Sequence, residues 1–281
     1  MPPMNRSGSR VIGFCNQYVT INYNCPEAAW LVNFLCTDLP ADNSSPSRAT
    51  YDLVIVGKKP MLSLWQGEKQ LYFGDCKYSL AYTLINEIIY QCITDNKTGH
   101  AIHAAAVSNR EGTIILPGKS GCGKSTLTTW LVSQGCNYLT DELVLIAKDD
   151  HQIHPLTRPI SIKSGSVAVL NSFLSVEEKD VLVGDKGFML PHRLINNNFS
   201  INSHPLSCII FPEYKAGVAT ELTRLTSGIG CSKLMECYVN ARNIKGHGIS
   251  QLAELTRNIP VYQLSYGDFD GLEMILAGCF Q

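Results

Sequence analysis

Ile115–Ile146, ILPGKSGCGKSTLTTWLVSQGCNYLTDELVLI, is the stretch that decides how the chain is read. Within it, Gly118-Lys119-Ser120-Gly121-Cys122-Gly123-Lys124-Ser125 satisfies G-x-x-x-x-G-K-[ST] at every fixed position. The context agrees with the pattern: an apolar run, TIIL, precedes the glycines, and a helical run, STLTTWLVSQG, follows and stops at Gly135. A loop placed where strand passes into helix can aim several backbone N–H groups at one anion, and the helix N-terminus adds its partial positive charge. Lys124 is then expected to reach the β- and γ-phosphates of a nucleotide, and the Ser125 hydroxyl to ligate Mg²⁺. Thr126 completes the expected nucleotide-binding set, residues 118 to 126.

Two acids follow at once. Asp141 lies 141 − 124 = 17 residues beyond Lys124, so one helix and one short strand separate the two and return a carboxylate to the phosphates. Phosphoryl transfer needs an anionic metal ligand and, for a hydroxyl acceptor, a group that takes its proton; Asp141 and Glu142 can supply both. Side chains alternate along a strand, so both acids face the phosphate only if the strand ends or bends between them.

The rest of the chain sets the class. With 281 residues, of which 45% are hydrophobic and 17% charged, it can bury a large core. A formal net charge of −1 and the absence of a Lys/Arg run give no footprint for nucleic acid or for an anionic membrane. No apolar run approaches the roughly 18 to 20 residues that cross a bilayer, and MPPMNRSGSRVIGF lacks a signal-type apolar core, so a cytoplasmic protein is expected. The eleven cysteines are scattered without zinc spacing and read as free thiols.

Residues 1–77 read as a small α+β lobe: strands at SRVIGFCN, YVTINYN, YDLVIVG and the two halves of PMLSLWQGEKQLYFG, with a helix at CPEAAWLVNFLCTDLP. Trp30, Trp65, Tyr72 and Phe73 alternate there with polar residues, as on a half-buried sheet. ADNSSPSRA, residues 41–49, reads as a loop. Residues 78–281 form the core, opening with a linking helix over 78–95 that Ser79 is expected to cap. Beyond it, AIHAAAVS, GTIILPG, NYLTD and LVLIAK read as strands, SVEEKDVLV as a short helix, and LSCIIFPEY and TELTRLTS as strands. CSKLMECYVNAR, GISQLAELTRNI and FDGLEMILAGCF read as helices around the strand PVYQLSYG, which makes the whole an α/β fold.

HAAAV at 103–107, GKSGCGKS at 118–125 and QGCNYLTDE at 134–142 resemble the C-terminal domain of the HPr kinase/phosphorylase family, including its diverged members that modify peptides such as lasso-peptide precursors. The resemblance covers residues 99–165. It implies a P-loop core related to phosphoenolpyruvate carboxykinase, a role for His103 near the phosphates, ATP and Mg²⁺ as cofactors, Lys124 and Ser125 on nucleotide and metal, and Asp141 or Glu142 as base and metal ligand. Two departures stand out: Asp-Glu replaces the Asp-Asp of HPr kinases, and a Glu-x-Arg-Gly-x-Gly type segment is missing. The phosphorylase activity and hexameric assembly that such a segment supports are therefore left open here, and so is a homo-oligomer.

The expected activity is transfer of the γ-phosphoryl group to a hydroxyl, foremost serine of a protein or ribosomally made peptide, with a small-molecule acceptor as the alternative. An NTPase that drives a conformational change and a nucleotide sensor are the competing readings. Arg158 and Lys163 in TRPISIKSG are candidates for neutralising transition-state charge, whereas His151 and His154 lack a third ligand for a metal.

Overall fold

The computed structural model describes residues 6–41 and 45–281, so residues 42–44 of the expected 41–49 loop lie outside the described residues. In chain order the elements are β1 (Gly8–Phe14), β2 (Gln17–Tyr23), α1 (Pro26–Cys36), β3 (Ala49–Val56), β4 (Met61–Gln66), β5 (Lys69–Gly74) and α2 (Lys77–Ile93). There follow β6 (Gly99–Ile102), β7 (Ala104–Ser108), β8 (Thr113–Pro117), α3 (Lys124–Ser133), β9 (Asn137–Thr140), β10 (Val144–Ala147) and β11 (Gln152–His154). Next come β12 (Ile160–Lys163), α4 (Val167–Leu170), β13 (Leu182–Gly184), β14 (Gly187–Leu190) and β15 (His204–Tyr214). The chain closes with β16 (Glu221–Arg224), α5 (Ser227–Met235), α6 (Ile249–Asn258), β17 (Val261–Tyr266) and α7 (Leu272–Ala277). The architecture is mixed α/β with several sheets.

Two compact units result. One comprises Met1–Thr94, Arg158–Val167 and Ser175–Pro191; the other comprises Asp95–Thr157, Ala168–Leu174 and His192–Gln281.

In the first unit the strands run in the order β1-β2-β3-β4-β5. Cys15 and Asn16, both with positive φ, make the two-residue turn that joins β1 to β2. Pro26 opens α1, where its missing N–H is not needed. Helix α2 buries Leu80, Leu84, Ile85 and Ile88. It begins two residues before the expected cap: the Tyr72 hydroxyl accepts the Cys76 N–H at 3.2 Å and donates to the Cys76 carbonyl at 3.0 Å, so the turn is set before Ser79 is reached. Ser79 lies inside the helix, and its carbonyl accepts the Thr83 hydroxyl at 2.9 Å. SVEEKDVLV is also not a helix beyond one 3₁₀ turn at Glu178–Asp180, because Leu182 and Val183 pair with Met189 and Phe188 in the sheet β12-β14-β13.

The second unit holds the sheet β6-β10-β11-β15-β8-β7-β9, with β17 beside β15 and β16 beside β17. Strands β8, β15 and β17 run parallel, so Pro117, Tyr214 and Tyr266 end at the same edge of the sheet. In open α/β sheets that edge is where ligands are held. AIHAAAVS, expected as one strand, is two. At His103 the backbone N–H leaves the ladder and donates to the Cys237 carbonyl at 2.8 Å, while β6 pairs with β10 and β7 pairs with β8 and β9.

The helix expected over CSKLMECYVNAR lies earlier. Thr226 caps it by accepting the Ile229 N–H, it ends at Met235, and the chain then turns back to bridge Tyr238 to Ile102. Asn240 fixes this return through the Ala101 N–H at 2.8 Å and the carbonyls of Gly99 and Asn96 at 3.1 and 3.0 Å. Ile102, Ile115, Leu139, Val144, Ile209 and Leu234 share one core. None of the eleven cysteines forms a disulfide, and no helix is long and apolar enough to cross a membrane among the described residues.

Candidate functional site

The glycine-rich loop runs from the end of β8 to α3. Gly123, at φ +100°, is the residue before the helix, and its carbonyl accepts the Leu127 N–H at 2.9 Å to start the helical ladder. A side chain is excluded there twice over: the backbone is left-handed, and a Cβ would stand 2.5 Å from the Tyr266 hydroxyl and 3.0 Å from the Tyr214 Cβ. The Tyr266 hydroxyl donates to the Gly123 carbonyl at 3.2 Å and the Tyr214 N–H donates to the Cys122 carbonyl at 3.1 Å. The ends of β15 and β17 thus clamp the second half of the loop. Lys119, Ser120 and Gly121 are exposed along its first half, with Gly118, Cys122 and Ser125 half-buried and Thr126 buried in α3.

Lys124 is 6% exposed, and its Nζ donates to the Gly118 carbonyl at 2.6 Å and the Lys119 carbonyl at 3.2 Å. An ammonium has three donors, so one remains for an anion held in the loop. At its far end α3 is closed by the Cys136 N–H on the Leu131 carbonyl and the Gly135 N–H on the Val132 carbonyl, the paired bonds of a Schellman motif around the left-handed Gly135. That turn directs the chain straight into β9.

Strand β9 ends at Thr140, where the threonine hydroxyl accepts the N–H groups of Glu142 at 3.3 Å and Leu143 at 3.5 Å. Such a local side-chain bond breaks the ladder and bends the chain. The two acids then part. Asp141, 2% exposed, accepts the Ser125 hydroxyl at 3.4 Å and the Tyr138 hydroxyl at 3.3 Å. Glu142 turns to His103: its Oε1 lies 3.4 Å from His103 Nδ1, its carbonyl lies 3.0 Å from the same nitrogen, and both side chains are about one-third exposed, at 29% and 32%. The four sequence-derived residues therefore form two pairs, Ser125 with Asp141 and His103 with Glu142, joined through the 141–142 peptide.

The fit to Mg²⁺ can be tested on donor chemistry. Ser125 and Asp141 offer oxygen only, as a hard cation requires, and two adjacent ligands of an octahedral Mg²⁺ with bonds of about 2.1 Å stand about 3 Å apart. The observed 3.4 Å is close to that separation. Among the described residues no group of three or more His, Cys, Asp or Glu side chains could hold a metal ion, so the remaining ligands would be water and phosphate.

Beside the loop lies a cleft of about 270 Å³, between Gly118 and Lys119, the end of β15 and the C-terminal end of α5. Lys119 spans it to Glu236 at 2.8 Å; that bond raises the lysine pKa and lowers the carboxyl's. Lys233 lies over the Phe211 ring, 5.2 Å from its centroid. Cys237, whose thiol is pushed up by burial, completes the wall next to His103.

Arg158 and Lys163 belong to the other unit. Arg158 is 2% exposed and bonded to the Pro159 carbonyl at 3.2 Å and the Ser161 hydroxyl at 3.1 Å, while Lys163 ends β12. His151 occupies the turn between β10 and β11, and His154 lies in β11.

No family model matches this chain, and no curated protein does. Among solved structures it is similar to the Hpr(Ser) kinase/phosphatase from Coxiella burnetii, at 13% identity over 64% of this chain and 92% of that one, with a TM-score of 0.31. A score of that size does not establish a shared fold.

Tyr138, Tyr214, Tyr266, Lys233, Glu236 and Cys237 were not singled out from sequence. Three of them carried a usable signal: Tyr214 and Tyr266 end parallel strands at the ligand-holding edge, and Tyr138 is three residues from Asp141 in a strand that must return to the loop.

Proposed function

We propose that the chain is an ATP- and Mg²⁺-dependent phosphotransferase that moves the γ-phosphoryl group to a hydroxyl. The observation that carries this reading is the separation of the two adjacent acids: Asp141 is buried against Ser125 at the start of α3, and Glu142 stands half-buried against His103. A module that only bound nucleotide would need the loop and neither acid. The order of His103, the glycine-rich loop and the acidic pair, which resembles that of HPr kinases, supports the same reading.

The loop N–H groups and Lys124 hold the phosphates, and Ser125 and Asp141 are the residues that would ligate Mg²⁺. The metal supplies charge neutralisation on the transferring phosphoryl group. Asp141 is too buried to meet an acceptor from outside. Glu142, partly exposed, accepts the acceptor's proton as its oxygen bonds to phosphorus and the bond to the β-phosphate oxygen breaks. His103 orients the Glu142 carboxylate and takes a share of the incoming positive charge.

Calorimetric titration with ATP and Mg²⁺ tests the binding half of this proposal. Lys124→Ala is expected to abolish the binding isotherm while the circular dichroism spectrum stays unchanged. Unchanged affinity in that variant would remove the nucleotide from the loop and the proposal with it.

A further inference from the structure

We infer that the cleft beside Gly118 is the acceptor site, and that its occupant is a hydroxyl-bearing zwitterion of amino-acid size. The inference rests on the phosphotransferase reading and extends it to the substrate class.

Placement comes first. A lysine at this position of a phosphate loop reaches the β- and γ-phosphates, and Lys124 Nζ lies 2.6 Å from the Gly118 carbonyl, at the wall of the cleft. The terminal phosphate is therefore expected on the cleft side of the loop. The opposite wall leads to the base, since the Cys237 carbonyl accepts the His103 N–H at 2.8 Å and His103 contacts Glu142. An acceptor in the cleft thus has the glycine-rich loop on one side and, on the other, Cys237, the backbone neighbour of His103.

Size and charge then narrow the occupant. About 270 Å³ is below the span of roughly 300–1,000 Å³ usual for drug-sized ligands, and suits a molecule of a few heavy atoms. Two cations, Lys119 and Lys233, and two carboxylates, Glu213 and Glu236, border it, and Glu213 is itself paired with Lys215 at 2.9 Å, so the occupant meets charges of both signs. A ligand of a single sign would meet repulsion as well as attraction there, whereas a molecule with an ammonium and a carboxylate can satisfy both signs. The Lys119–Glu236 pair already models that exchange, at 2.8 Å with side chains 79% and 53% exposed. Exposed pairs contribute little to stability, so a ligand carrying the same two charges can replace each partner. The reaction balances: the ligand hydroxyl oxygen gains the phosphoryl group, ADP leaves, and the hydroxyl proton passes to Glu142 and then to water.

The test uses the full chain with ATP and Mg²⁺, L-serine, L-threonine and L-homoserine as acceptors, and N-acetyl-L-serine and L-serine amide as analogues each lacking one charge. Products are followed by ³¹P NMR and mass spectrometry, and nucleotide affinity is measured separately by calorimetry. The expected result is an O-phosphorylated amino acid, with kcat/KM for the analogues reduced about tenfold or more, the scale of one lost charge-assisted hydrogen bond. Lys233→Met and Glu213→Gln should raise the acceptor KM by a similar factor at unchanged nucleotide affinity. Nucleotide bound in a Lys124-dependent way, with no zwitterion phosphorylated or with the analogues accepted equally, would overturn the cleft assignment and leave the phosphotransferase standing. Failure of the wild-type chain to bind nucleotide would overturn both.

Discussion

Replacing Gly123 by alanine probes the geometry on which the loop depends. The residue sits at φ +100°, ψ 0°, a region sparsely populated by residues with a Cβ, and holding one there costs of the order of 1–3 kcal/mol. The new Cβ would stand 2.5 Å from the Tyr266 hydroxyl and 3.0 Å from the Tyr214 Cβ. Tyr266 is fully buried and its ring packs against Tyr214 and Phe269, so it cannot swing aside freely; overpacking of this kind costs about 1–3 kcal/mol more. Alanine also narrows the unfolded ensemble, which offsets about 0.4–1 kcal/mol. The net expectation is a loss of about 1–5.5 kcal/mol.

Urea unfolding followed through Trp130, which lies in α3 stacked on Phe269, reads that loss in the unit concerned, with Trp30 and Trp65 replaced by phenylalanine to silence the other. A second substitution, Tyr266→Phe, removes the nearest colliding atom and should recover about 1–2 kcal/mol of the deficit beyond additivity, in the range of couplings between contacting residues. The backbone cost would remain. A shift below about 0.5 kcal/mol for Gly123→Ala alone would refute the reasoning, because neither the clash nor the left-handed backbone could then be as described.

Further outcomes are expected elsewhere in the site and fold. Asp141→Asn should retain ATP affinity in the absence of metal, lose the Mg²⁺-dependent gain in affinity, and lower turnover by roughly 10²-fold or more; isothermal titration with and without Mg²⁺ separates these effects. Glu142→Gln should leave both affinities intact and lower kcat by about 10²–10⁴-fold, the scale of a lost general base. Stability should fall on acidification through His100, which is buried in β6 and whose pKa is lowered to about 4, first by burial and then by the charges of Lys148 and His151. His100 Nδ1 lies 2.6 Å from the hydroxyl of Tyr238, whose pKa is raised to about 12 by burial. The unfolded chain therefore binds the proton first, and stability present above pH 6.5 is lost as pH falls from 6.5 towards 4, by up to a few kcal/mol. Urea midpoints at pH 7 and pH 4.5 check this, and His100→Gln should flatten the difference.

The strand, loop and helix around Gly118–Ser125 were legible because each carries a local signal: an apolar run, glycines at fixed spacing, and a helix closed by Gly135. The strand end that separates Asp141 from Glu142 was legible only as a condition, since the bond from Thr140 to Glu142 that enforces it is a matter of side-chain geometry. The break at His103 carries no local mark. Apart from His103 and Ser108, AIHAAAVS is apolar, and what divides it is a carbonyl from Cys237 far along the chain. The late helix was misplaced for a similar reason: CSKLMECYVNAR keeps a helical pattern beyond Met235, but Tyr238 and Asn240 find better partners in β6 than a further helical turn would offer. Ser79 lost its expected cap to the Tyr72 hydroxyl, an interaction that begins in a neighbouring strand. Bonds to residues outside the segment read decided these departures, and the cleft is likewise assembled from separate elements, β8, β15, α5 and β17.

The central claim is that the chain moves a phosphoryl group, and γ-labelled ATP tests it most directly. Purified protein is incubated with Mg²⁺ and the label, with and without a lysate of its source and the amino-acid acceptors, and the label is traced by gel and by mass spectrometry. The account predicts label in a phosphate ester on a hydroxyl, absent in Lys124→Ala. Label released only as free phosphate at the full rate, or ATP bound and never consumed under any of these conditions, would contradict it.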